Sequence, residues 1–437
     1  MKQYTFLFIL TVLTGSFLFA QETTSLSKEE ALAKVLENNR SLKISEQEFF
    51  QARADYRQTN AVFLPNIKAS HTGLTTNNPL MAFGSKLNQE ILTQNDFNPI
   101  LLNDPERVNN YATKIEVQQP LINVDGFLQR QAAKSKMQAT ELQGDRTRDY
   151  VLLEVEKAYM ELQLAHEAVG VLEKAQEAAL ENKRLADNSF KQGYLQRADV
   201  LAVEVRVSEV NNQLQMARSN VQNASDYLSF LMNEGSGKIW MPTDKLQAES
   251  LYSAESLKLS NDRADVRAME LATAAYEKMN KADKMAFLPR LNAFGSYELY
   301  DEDVFQGAAS GYMVGAELSW DLFQGSKRFG KAQKSKAELE QSKLELDQYK
   351  AKSQMEINRA KRNVEDLYDK MKRSELAVEQ SEEAFRIRTN RFEQGLEKTT
   401  DLLQSETQFQ QKQLEYFQTI FEYNFAKSYL EFLTKSE

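Results

Sequence analysis

The sequence predicts a mainly α-helical chain built twice over. Long coiled-coil helical hairpins alternate with two β-hairpins, which complete a transmembrane β-barrel with other copies of the chain. Three observations point there. Phe190-Lys191-Gln192-Gly193, followed by Asp199, Leu201 and Glu204, returns 202 residues later as Phe392-Glu393-Gln394-Gly395, followed by Asp401, Leu403 and Glu406. Tyr227-Leu228-Ser229-Phe230-Leu231 likewise reappears as Tyr429-Leu430-Glu431-Phe432-Leu433, so the architecture is duplicated. The polar helical patterns meeting at each glycine carry a seven-residue apolar repeat, and two-faced alternating segments lie upstream of each.

Taken in order, residues 1–20 combine Lys2, an apolar run from Phe6 to Leu13, and Gly15, Ser16 and Ala20. This pattern is expected to be a Sec-type signal peptide cut before Gln21. Residues 21–233 form the first expected repeat. A helical pattern runs from about Ser27 to Val62, with Leu32, Val35, Leu36, Leu42, Ile44 and Phe49 on its apolar positions. Phe63-Leu64-Pro65 stops it, because proline lacks an amide proton and restricts its predecessor. The first β-hairpin is expected over about 63–124. Its first strand ends near Gly73, residues 74–110 read as a long loop, and Thr113, Ile115 and Val117 alternate with polar neighbours until Pro120 and Gly126.

A single helical pattern then spans Phe127 to about Ser189, roughly 60 residues or about 90 Å. Its stripe of Val151, Val155, Ala158, Leu162, Ala165, Val169 and Leu172 demands a coiled-coil partner. The segment from about Gln196 to Met232 supplies it by folding back. Residues 234–250, with Gly235, Gly237 and Pro242, read as an irregular connection.

The second repeat, 251–437, replays the first. A helix from about Ser253 to Ala286 ends at Phe287-Leu288-Pro289, and a β-hairpin is expected over about 287–324. In its second strand Tyr312, Val314, Ala316, Leu318, Trp320 and Leu322 face one way, and Met313, Gly315, Glu317, Ser319 and Asp321 the other. The next long helix, about Arg328 to Asn390, carries Ile357, Val364, Met371, Val378 and Phe385 at steps of seven, and a return helix runs to about Thr434.

Composition excludes several functions. With no cysteine there are no disulfides, thiolate metal sites, cysteine nucleophiles or lipobox anchor. The net charge of −9 and the interleaving of acids with Lys and Arg speak against nucleic acid as a partner. His71 and His166 lie far apart in sequence, Gly235-x-Gly237 is a lone turn, and no nucleophile–base pair is visible, so no catalytic residue, metal site or cofactor is expected. Past the leader no apolar run of roughly 20 residues exists, so no helix is expected to cross a bilayer.

The strands therefore carry the membrane argument. Strands of about ten residues suit a tilted crossing of outer-membrane lipid, but four cannot close a barrel. An open edge in lipid leaves backbone groups unsatisfied at several kcal/mol each. Three copies would give twelve strands and a lumen. The alternative is a soluble protein whose hairpins pack on its own helices.

The order of helix, β-hairpin and long helix pair, repeated, resembles the TolC family of outer-membrane efflux proteins along the whole mature chain. The residues carrying the likeness are Phe63-Leu64-Pro65, Phe287-Leu288-Pro289, Phe190-x-x-Gly193 and Phe392-x-x-Gly395, with Asp199 and Asp401 six residues beyond each glycine. The resemblance implies a homotrimer with a 12-stranded barrel in the outer membrane and a helical tunnel through the periplasm. Its tips, at Phe190, Gly193, Phe392 and Gly395, would meet a periplasmic adaptor (membrane fusion) protein coupled to an inner-membrane pump of RND, ABC or MFS type. Asp199 and Asp401 would line the pore aperture, or serve only as helix caps. Gln404 stands where some members have a second acid, and Glu397 where some carry a base that helps hold the aperture shut. The alternative from another class is a periplasmic coiled-coil adaptor, which has one such hairpin and several compact β domains.

Overall fold

The computed structural model describes residues 23–250 and 258–435. The expected signal peptide and the first residues of the helix expected from Ser253 lie outside that range. The described residues form two compact units, one of 23–43, 147–250, 258 and 355–435, the other of 44–146 and 259–354.

The first unit begins with β1 (Thr23–Leu26) and α1 (Lys28–Asn38). Ser27 caps α1: its Oγ accepts from the Glu30 amide at 3.1 Å, and Glu30 Oε2 accepts from the Ser27 amide at 3.2 Å. The continuous helix expected over 27–62 is broken at Asn39, before α2 (Arg40–Gln58). The buried Asn39 side chain donates to Leu231 O at 2.8 Å and accepts from the Ser41 amide at 2.8 Å. It thereby satisfies donors that the new helix start leaves open.

The unit also holds the larger part of α5 (Val124–Lys191), α6 (Arg197–Leu231), part of α8 (Lys327–Glu393) and α9 (Thr399–Thr434). The α5 stripe is buried from Val151 to Ala165 and again at Leu172, with Val169 half-buried. Val221 and Leu228 of α6 join one cluster with the stripe, and Leu214 and Ala217 join the next. The connection expected at 234–250 is not wholly irregular. It contains β4 (Ile239–Pro242), paired in parallel with β1 from Thr23↔Ile239 to Leu26↔Pro242. Trp240 on β4 is fully buried, and its indole donates to Ser229 Oγ at 2.8 Å. His166 Nε2 lies 2.9 Å from Trp240 O, so this histidine is a structural residue.

The second unit holds one antiparallel sheet in the order β2-β3-β5-β6: Asn66–Thr76, Val108–Ile122, Arg290–Asp301 and Ala309–Ser319. Helix α7 (Ala264–Met285) precedes β5 and starts later than expected, at Ala264. Strand β3 continues through Pro120, where the register shifts between Pro120 and Ile122. Proline cannot donate to the ladder, and the irregularity accommodates it. Strand β6 ends at Ser319, so Trp320 and Leu322 lie just past it. Residues 74–110, expected as loop, include α3 (Pro79–Asn88) and α4 (Pro99–Asn103). Asn78 caps α3 through the Met81 amide at 3.3 Å, and Asn98 caps α4 through the Ile100 amide at 3.0 Å, each with proline at the first helical position. Among the described residues no helix is long and apolar enough to cross a membrane.

Candidate functional site

Directly opposed residues of an antiparallel pair share a face, so the register sorts the sheet. Ile67 and Ala69 of β2 oppose Val117 and Ile115 of β3, which in turn oppose Gly295 and Tyr297 of β5. Leu291, Ala293, Gly295 and Tyr297 oppose Leu318, Ala316, Val314 and Tyr312 of β6. One continuous apolar face results. Tyr312 is 83% and Val314 78% exposed on it, far from the packing an apolar face needs in water.

The opposite face carries Lys68 and Ser70, Lys114, Glu116 and Gln118, Asn292, Ser296 and Glu298, and Glu317 and Ser319. Lys114 bridges Glu298 at 3.2 Å and Glu116 at 3.6 Å on that face. His71 opposes Thr113 on the apolar face, where Nδ1 lies 2.9 Å from Thr113 Oγ1 and the ring stacks on Phe305 at 4.2 Å. The outermost strands, β2 and β6, each pair on one side only.

Both Phe-Leu-Pro motifs lie at the base of this sheet, and a guanidinium covers each phenylalanine. Arg130 stands 5.0 Å from the Phe63 ring and Arg328 4.8 Å from the Phe287 ring. The Trp320 indole donates to Phe287 O at 3.0 Å, and Phe323 is exposed close by in sequence. Aromatic rings beside cations at the end of an apolar strand band suit a membrane–water boundary. Arg290 and Asp125 form a two-point ion pair at the first residues of β5 and α5. The sequence pattern of the strands could not reveal these pairs, because the partners are distant along the chain.

The two hairpin tips share one backbone device. Gly193 has φ +83° and Gly395 φ +73°, the left-handed region that side chains disfavour. The Gly193 amide donates to Phe190 O and the Tyr194 amide to Ser189 O, both at 2.9 Å. At the other tip the Gly395 amide donates to Phe392 O and the Leu396 amide to Arg391 O, again at 2.9 Å.

The side chains diverge. Phe392 continues the seven-residue series of α8 and is only 7% exposed, whereas Phe190 is 40% exposed. The Gln196 amide donates to Asp199 Oδ2 at 3.0 Å, so Asp199 does brace the start of α6. Asp401 makes no such cap; its Oδ2 lies 3.9 Å from an Arg388 nitrogen. Gln404 is exposed one turn on. Glu397 is held by Arg388 at 3.1 Å and Arg391 at 2.8 Å, which neutralises the acid at that position within the tip.

A polar network that the sequence reading missed lies between α5, α6 and α9. Glu406 Oε1 accepts from Arg206 Nε at 3.0 Å and Oε2 from Asn182 Nδ2 at 2.6 Å. Arg206 also donates to Gln410 Oε1 at 2.5 Å, and Gln410 to Gln213 Oε1 at 2.7 Å. Glu204, the repeat equivalent of Glu406, is instead half-exposed near Lys183 at 3.6 Å.

A search of curated protein sequences gave no match. Solved structures do match over nearly the whole chain. A membrane protein from Pseudomonas aeruginosa aligns with a TM-score of 0.81 and 18% identity, covering 93% of each chain. The Campylobacter jejuni CmeC outer membrane channel gives 0.77 and 16%, over 94% of this chain and 89% of that one. The outer membrane protein VceC from Vibrio cholerae gives 0.77 and 16%, over 94% and 96%. The family model for outer membrane efflux proteins matches residues 31–234 and 257–423, which decides between the channel and the adaptor weighed from sequence. The chain belongs to the outer membrane efflux protein family, whose members are TolC-like channels of the outer membrane that reach into the periplasm.

Proposed function

We propose that the chain acts as a passive trimeric duct from the periplasm to the exterior, the outer-membrane part of a tripartite efflux or type I secretion system. The observation that carries this reading is the sheet, with a continuous exposed apolar face, a charged opposite face and two free edges. Pairing β6 of one copy with β2 of the next closes twelve strands without leaving an edge in lipid. The charged face then lines water.

The two repeats, 21–233 and 251–437, supply one strand pair and one helical hairpin each. Their tips are the surface offered to a periplasmic adaptor, itself served by an inner-membrane pump of RND, ABC or MFS type. Exposed Phe190, Tyr194 and Leu396 form that contact around the glycine turns, while buried Phe392 supports it from within. Asp199, Asp401 and Gln404 face the aperture. Light scattering in mild detergent tests the assembly: a trimer is expected, and a stable folded monomer would overturn it.

A further inference from the structure

Residues 77–107, between β2 and β3, fold as a small packed body. Phe83 meets Phe97 edge-on at 5.7 Å, Lys86 bridges Asp96 at 2.7 Å, and Asp96 Oδ2 accepts from the Thr93 amide and hydroxyl, both at 2.7 Å. Its place on the sheet follows from parity. Helix α3 packs against β3 and β6, two strands that are not neighbours. Val108 and Ala309, buried at that end of the sheet, both belong to the charged face, because they alternate in register with Ile115 and Val314. Gln89 Nε2 donates to Asn109 O at 2.8 Å and Asp301 O at 3.1 Å. It also lies 2.9 Å from Asn110 Oδ1, a side chain of that same face. The body therefore leans over the lumen side of the sheet at the end remote from the Phe-Leu-Pro motifs.

The face α3 turns away from the sheet is apolar. Ala82, Ser85 and Gln89 are buried, and diametrically opposite them Leu80 is 82% and Leu87 56% exposed, with Gly84 between. A Cβ added at Gly84 would meet open space. On the next helix Ile100 is 77% exposed. A stripe pointing into the lumen is out of reach of lipid. Its neighbours in a closed ring are the same stripe on the other copies, and β2, the edge strand awaiting a second copy, leads straight into α3.

The sizes agree. Twelve strands about 4.8 Å apart and tilted about 40° close on a circle about 24 Å across. Three helices about 10 Å wide, side by side, fill a circle of about 22 Å.

Resting on the duct reading, we propose that residues 77–107 form an inward cap, and that three caps dock through Leu80, Leu87 and Ile100 to constrict the outer mouth. The absence of cysteine makes the test clean. Glu317→Cys, on the charged face, and Val314→Cys, on the apolar face, are labelled in whole cells with a small sulfonated maleimide and with a long polyethylene-glycol maleimide. The small reagent is expected to label Glu317→Cys and not Val314→Cys; the reverse defeats the duct itself, whatever the cap does. The long reagent is expected to fail on Glu317→Cys. It should gain access when residues 77–107 are replaced by a short turn, or when Leu80→Glu forces the caps apart should the deletion not fold. Separately, Leu80→Cys and Leu87→Cys should form disulfide-linked dimers under copper-phenanthroline oxidation. Labelling of Glu317→Cys by the long reagent through an intact cap, or no cross-link at either position, overturns the proposal.

Discussion

Glu406 and Arg206 meet at 3.0 Å with side chains only 3% and 5% exposed, the most deeply buried ion pair among those described between the helical hairpins. Removing one partner leaves a charge stranded in a low dielectric, so Glu406→Ala or Arg206→Ala is expected to cost about 3–5 kcal/mol. The double change Arg206→Met with Glu406→Met should recover most of that, short of about 1 kcal/mol for each polar group of Asn182 and Gln410 left unpaired. Thermal unfolding of the detergent-solubilised protein measures the cycle, and equal losses in the single and double variants would contradict it.

The same pair predicts a pH dependence. Burial outweighs Arg206 and Asn182 and holds the Glu406 carboxyl above its ordinary 4.5. A folded-state value above the unfolded one gives stability that is complete below about pH 4.5 and lost as pH rises through the folded value. Glu406→Gln should flatten that slope in melting curves taken across the range.

The two sheet faces should respond oppositely to charge. Val314→Arg or Leu318→Arg is expected to cost about 2–4 kcal/mol if near the bilayer midplane, while Glu317→Arg or Ser319→Arg leaves folding intact. Yield of the expected trimer on native gels separates the outcomes, and equal loss at both pairs would mean the faces are wrongly assigned.

At the tips the glycine requirement is purely conformational. A Cβ at Gly193 or Gly395 meets nothing within 4 Å, so the cost of alanine is the left-handed backbone alone, about 1–2 kcal/mol. Each variant should speed tryptic cleavage near its own tip, at Lys191 or Lys398, and leave the other tip unchanged.

In the proposed trimeric duct Asp199 and Asp401 would each occur three times around the periplasmic aperture, where low-dielectric walls focus their field. Asp199→Ala with Asp401→Ala should reduce cation selectivity in planar bilayers, the trimer remaining whole. Because Asp199 also braces the start of α6, Asp199→Asn serves as the control that retains an acceptor. Wild-type reversal potentials in the double variant would leave Asp199 as a brace only and Asp401 without a part in the pore.

The elements with a long period were legible in the sequence: the α5 stripe, the α8 series from Ile357 to Phe385, both glycine turns and the alternation of β6. What escaped is what rests on non-local or point features. Strands β1 and β4 have four residues each and pair across the repeat, so neither has a period to detect. Asn39 breaks a helix with one side chain whose partner, Leu231, is 192 residues away. Helices α3 and α4 start at Asn78-Pro79 and Asn98-Pro99, an asparagine cap before a first-position proline, but the same dipeptides also open loops, so sequence alone does not separate the two. Glu406 lies on one helical face with buried Leu402 and Gln410, a placement that marks it as a core residue. Its repeat with Glu204 concealed this, because the two copies put the same residue to different uses.

The free edges of the sheet bear on ring size. Within a chain residues 77–107 tie β2 to β3 and a short turn ties β5 to β6, but the proposed pairing of β6 with a second copy's β2 has no covalent tether. That seam sets the stagger between copies, and shear together with strand number determines strand tilt and bore. A slip of two residues would keep every side chain on its proper face, so the two-faced pattern cannot oppose it. Repeated at three identical seams, it would alter the shear by six and change the calibre of the channel without exposing a single apolar residue.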